Sequence, residues 1–129
     1  MLAQALRDKA FQLVFEKSHF KRGQLDSLLV KRYAKANGLR VKQVLSMKDK
    51  PASEGALERS ASQARRVISK SVATLVLAVS LGLTDFEVVN SIPRLALVLE
   101  QSKVQKPVKK DADRLLGLID AILERASQK

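Results

Sequence analysis

Residues Ser53 to Ser71 read SEGALERSASQARRVISKS, and the two sides of this stretch carry different chemistry. The Ser53 hydroxyl can accept from an otherwise unpaired amide of the next turn, and Glu54 suits the positive end of a helix, so the spacing predicts a helix starting here. At about 100° per residue, Leu57, Ala61, Ala64 and Ile68 fall on one narrow apolar stripe. Gly55, Arg59, Ser62 and Arg66 lie nearly opposite, with Gln63 at their edge. The inward side is small enough for another helix to come close. The outward side offers guanidinium and amide groups, which can pair bidentately with guanine and adenine, beside short residues that let backbone approach phosphate. The same pattern also describes a bundle helix whose arginines merely stay solvated.

Ahead of it stands Gly38-Leu39-Arg40-Val41-Lys42-Gln43-Val44-Leu45-Ser46, a short amphipathic helix with Val41, Val44 and Leu45 directed inward. A short helix, a polar turn and a longer helix follow the order of a helix-turn-helix. Here the sequence resembles the promoter-binding helix-turn-helix of bacterial sigma factors, their region four, and the related response-regulator modules. In that family a glycine-led first helix precedes a second that opens with Ser-Glu-Gly and closes with Ala-Arg-Arg. Ser53-Glu54-Gly55 and Ala64-Arg65-Arg66 stand here at the matching separation. The resemblance covers Gly38 to Ile68, about a quarter of the chain. It implies DNA-contact geometry for Arg59, Gln63, Arg65 and Arg66. The sequence departs from the family in three places: the turn is about two residues longer, Leu45 stands where a small residue is usual, and Glu58 where a basic or neutral side chain would suit phosphate.

Charge adds to this reading. The chain of 129 residues has a formal net charge of +11, unevenly placed. Residues 17 to 50 hold 10 Lys/Arg against 2 Asp/Glu, or +8, and residues 103 to 129 hold 7 against 4, or +3, while the remaining stretches are neutral. Such regions suit a polyanion, and a solubilising surface is the alternative. Lys31, Arg32, Lys35, Arg40 and Lys42 are the candidate phosphate contacts, giving affinity without sequence reading. Lys103, Lys106, Lys109 and Lys110 could also track a backbone, or simply keep a linker in solution.

With 3 prolines, 5 glycines and long runs of helix formers, the composition predicts an all-α fold, a five- or six-helix bundle containing the helix-turn-helix. The first helix is expected from Leu2 to Glu16, with Leu6, Ala10, Leu13 and Val14 on its apolar side. The second runs from Gln24 to Ala36, with Leu25, Leu28, Leu29 and Tyr33 on one face, and Asn37-Gly38 stops it. From Ser53 one long helix, or two with a bend near Ser69 to Ser71, could reach Leu81 before Gly82. Its second half lies in Val72 to Leu83 (VATLVLAVSLGL), the most apolar run, which is expected to be the buried central helix. About a dozen residues cannot cross a bilayer, which takes roughly 20. A helical turn at Asp85 to Asn90 and a helix from Pro93 to Glu100 follow, proline taking the first position. The expected organisation is thus a helical domain over 1–102, a basic linker over 103–110 and a C-terminal helix over 111–129. In the last, Ala112, Leu116, Ile119, Leu123 and Ala126 form a stripe that could pack on the body or on a second copy.

Other chemistries find less in the sequence. His19 has no evident serine or carboxylate partner, so no catalytic group is assigned. Asp120 and Glu124 are one turn apart, as two metal ligands would be, but a third ligand is lacking and a solvated face is expected. Neither GxxxxGK[ST] nor GxGxxG occurs, and no cofactor or metal is expected. Phe11, Phe15, Phe20, Tyr33 and Phe86 are the only aromatics, most at core-like positions, which favours duplex DNA over RNA. Absence of cysteine fits a reducing cytoplasm, and the charged Arg7-Asp8-Lys9 does not resemble a secretory leader. The expected protein is therefore a cytoplasmic, non-enzymatic DNA binder, a transcriptional regulator or chromosome-associated factor with no membrane partner. A helical protein-interaction module or an RNA-binding accessory subunit is the alternative, and a homodimer or protein partner could engage the C-terminal helices.

Overall fold

The computed structural model describes residues 7–47, 53–104, 117 and 119–125. These hold six helices in order: α1 Lys9–Lys17, α2 Arg22–Ala36, α3 Val41–Ser46, α4 Glu54–Ser80, α5 Phe86–Asn90 and α6 Ile92–Val104. Residues 119–125 are helical as well, and the described residues contain no strand, so the chain is all-α.

Local chemistry sets most of the helix ends. Asp8 accepts from the amides of Ala10 at 2.9 Å and Phe11 at 3.4 Å, which starts α1 at Lys9 rather than in the expected continuous run from Leu2. Residues 1–6 lie outside the described set. The side chain of Gln24 accepts from the Lys21 amide at 3.1 Å, and that of Gln43 from the Arg40 amide at 2.8 Å, each closing the first turn of its helix. Ser53 caps α4 as expected, its hydroxyl accepting from the Ala56 amide at 3.1 Å. Two helices end alike. After α2 the Leu39 amide reaches back to the Ala34 carbonyl at 2.8 Å with Gly38 at φ +64°, and after α4 the Leu83 amide reaches Ala78 at 2.8 Å with Gly82 at φ +70°. Both are Schellman closures, which need the left-handed conformation that glycine adopts without cost.

The chain divides into two compact units, one of Met1–Ala3 with His19–Lys70 and the other of Gln4–Ser18 with Ser71–Lys129, the boundary falling inside α4. In the first unit, Val30 and Ala34 of α2, Val44 and Leu45 of α3 and Leu57 of α4 form the core, with Leu39 and Val41 packed on it. Leu45 is only 4 % exposed, so the leucine that departs from the resembled pattern is absorbed by this core. Ser27 is buried beside them, its hydroxyl donating to the Gly23 carbonyl at 2.8 Å. The fully buried face of α2 is therefore Ser27, Val30 and Ala34, not the leucine face expected from spacing. Leu25, Leu28 and Leu29 are half-buried and Tyr33 is 42 % exposed. A serine whose hydroxyl is satisfied within its own helix can be buried cheaply, and that frees the smaller residues to make the close contact.

In the second unit, Ala10 of α1 and Ile119 of the C-terminal segment are buried, with α1 against α6 and α5 against α6. Lys17 pairs with Asp120 at 3.2 Å and Arg125 lies 4.0 Å from Asp85. The C-terminal segment thus packs on its own unit, and Asp120 is engaged by a lysine. Residues 105–116, 118 and 126–129 lie outside the described set, and with them most of the expected linker and the start of the expected last helix. Lys103, expected in that linker, is still within α6.

The expectation of a buried central helix is overturned. Residues 54–80 form one unbroken helix, but Val72, Val76 and Leu77 are 56 %, 62 % and 61 % exposed, and no residue of α4 beyond Ala64 is buried. A helix apolar on all sides needs neighbours on all sides. The companions here are a nine-residue α1, a five-residue α5 and α6, and only the flank holding Leu75, Ala78 and Val79 is half-covered.

Candidate nucleic-acid interface

All nine candidate residues belong to the first unit. By sequence that unit carries 13 Lys/Arg against 4 Asp/Glu, or +9, and the second carries 11 against 9, or +2. The first unit therefore holds most of the net charge.

The α4 stripe behaves as its spacing predicts for three of four residues. Leu57, Ala61 and Ala64 are 3 %, 0 % and 0 % exposed, whereas Ile68 is 46 % exposed. The reason lies in α2. Lys31 meets Glu58, and Gln24 meets Gln63, so α2 runs antiparallel along α4. Gln24 in the first turn of α2 already meets Gln63, so α2 stops short of the turn that carries Ile68.

These two contacts also change the roles available to candidate residues. The Lys31 ammonium lies 2.9 Å from the Glu58 carboxylate and its side chain is 25 % exposed, so it is not free to meet a phosphate without giving up that pair. Glu58, the third departure from the resembled pattern, serves as a cross-helix partner. Gln24 donates to the Gln63 side-chain oxygen at 3.5 Å, a long bond at the edge of useful geometry. Gln63 thus faces α2, though exposed and loosely held.

Arg59, Ser62 and Arg66 remain on the side of α4 opposite Leu57, Ala61 and Ala64, and all three are exposed. Arg65 is exposed too, about 100° around the helix from Arg66. On α2, Arg32 and Lys35 are exposed one turn apart, and Arg40 and Lys42 are exposed at the start of α3. None of these seven cations forms an ion pair among the described residues. Sequence reasoning missed the Lys31–Glu58 pair because its partners are 27 residues apart. It also missed the exposure of Tyr33, whose position on an otherwise apolar spacing gave no warning.

Among the described residues no three or more His, Asp or Glu side chains gather as a metal site would require, and no helix is long and apolar enough to cross a membrane. His19 is exposed. No family model matches the chain, and comparisons with curated proteins and with solved structures give no match either.

Proposed function

We propose that this protein binds duplex DNA through the exposed polar strip of α4, acting as a transcriptional regulator or chromosome-associated factor in the cytoplasm. The observation that carries the reading is the coincidence of two properties in one unit. The first half of α4 buries one side in a core shared with α2 and α3 and leaves Arg59, Ser62 and Arg66 open on the other, and the unit holding it carries +9 of the +11.

On this reading α3 and the first half of α4 are a helix-turn-helix like that of sigma region four. Arg59 and Arg66 address base edges, and Gln63 joins them by releasing its long bond to Gln24. Arg32, Lys35, Arg40, Lys42 and Arg65 meet phosphates, while Lys31 stays with Glu58. Preorganisation comes from the core, because Val44, Leu45 and Leu57 fix the two helices to each other. Arg59→Ala is expected to weaken a preferred site by about 1–3 kcal/mol and random duplex much less, whereas Lys35→Ala weakens both by similar factors. Equal losses for Arg59→Ala on the two duplexes would reduce α4 to a charged surface.

One observation favours a second reading, binding of single-stranded nucleic acid. Tyr33 is exposed on α2 between Arg32 and Lys35, where its ring could stack on a base beside two cations. Gel-shift titration of duplex DNA, single-stranded DNA and structured RNA at two salt concentrations separates the readings. Tyr33→Ala should leave duplex affinity unchanged if the first is right.

A further inference from the structure

The chain separates its charge from its exposed apolar surface. Among the described residues eleven large apolar side chains stand exposed; three of them, Tyr33, Met47 and Ile68, belong to the +9 unit, and the other eight belong to the nearly neutral one. Leu77 and Leu81 share a flank of the helix end, the backbone turns at Gly82, and Leu83 and Phe86 follow at 60 % and 65 % exposure. These four side chains alone expose on the order of 500 Å², near the upper end of what a typical monomer shows in its largest patch. Val72, Val76, Ile92 and Leu97 are exposed on the same unit.

We propose that this surface is covered by a second copy of the chain, in a two-fold symmetric dimer centred on Leu77, Leu81, Leu83 and Phe86. Two features select a second copy over another partner. Two copies of a protein of +11 repel each other least where the surface is nearly neutral, and most of the exposed apolar side chains among the described residues lie on the unit that is nearly neutral. In a two-fold interface, moreover, residue i of one copy meets j of the other and j meets i, so charged rim residues are matched when the rim carries both signs. Glu87 of α5 and Arg94 of α6 supply them. Both are exposed, neither forms an ion pair among the described residues, and both line one surface cavity of about 360 Å³ with Val88, Asn90, Ser91 and Arg125. Glu87 of each copy then pairs with Arg94 of the other. An acidic foreign partner would instead be drawn to the first unit.

The test uses the full chain without DNA, so that its failure and the failure of the DNA reading stay distinct. Sedimentation equilibrium should give a dimer at micromolar concentration. Glu87→Arg and Arg94→Glu should each weaken it at least tenfold, and the double variant should recover most of the loss, since it restores both cross-pairs. Leu77→Glu should weaken it at least as much, with helix content unchanged by circular dichroism because the side chain is already 61 % exposed. A chain monomeric at tens of micromolar would overturn the proposal, leaving the face to another protein. A dimer indifferent to all three single variants, or reversals that do not compensate each other, would overturn it equally.

Discussion

Leu57 and Leu75 are the same residue on the same helix, yet Leu57 is 3 % exposed in the first unit's core and Leu75 is half-buried. Leu57→Ala should therefore cost about 2–5 kcal/mol through lost burial and a cavity, and Leu75→Ala about 1 kcal/mol, because surface already wet leaves little cavity behind. Urea unfolding of both variants checks the ranking, and equal costs would mean that Leu75 is covered. From sequence, VATLVLAVS argues for the deeper burial at Leu75, which is the reverse of what is found. Periodicity reports which residues could be buried; only the rest of the fold decides which are. Glu58 carries the same lesson. Read alone it opposed phosphate binding, and in space it holds Lys31.

Helix ends were far more legible than helix faces, because capping is a matter of four to six neighbouring residues. Ser53, Asn37-Gly38 and Gly82 each mark a boundary that the hydrogen bonds place there. Ser53→Ala should accordingly lower stability by about 1 kcal/mol. Gly38→Ala and Gly82→Ala should each cost about 1–2 kcal/mol, since both positions have φ above +60° and no contact relieves the strain of a side chain there. Thermal melting of the three variants measures this, and an unshifted melt for Gly38→Ala would remove the closure after α2. At α1 a competing cap was the reason for the misread start, since Asp8 begins the helix later than the apolar spacing suggests; α6 begins at Ile92, so that Pro93 takes its second position. The face of α2 was illegible for a different reason, since burying Ser27 rests on a hydroxyl bond that spacing does not reveal.

For the whole molecule, net charge could be read along the chain but not its division at Lys70, which falls inside a continuous helix with no proline or glycine to mark it. If five cations of the first unit meet phosphates, with Lys31 withheld by Glu58, log affinity for duplex DNA should fall with log salt at a slope of about −4.5. Fluorescence anisotropy across a salt series measures it, and a slope near zero would dismiss the electrostatic model. The candidate site was half legible: the polar strip of α4 followed from spacing, and the diversion of Lys31 and Gln63 toward α2 did not. The change in burial along α4, from Leu57, Ala61 and Ala64 with almost no exposure to none buried thereafter, also has a consequence in time. A backbone amide trades its hydrogen for deuterium only when its turn opens, and opening is cheap where few apolar contacts must break. The amides of residues 58–67 should keep their hydrogens long after those of 72–80 have lost them, a step in lifetime along one uninterrupted helix.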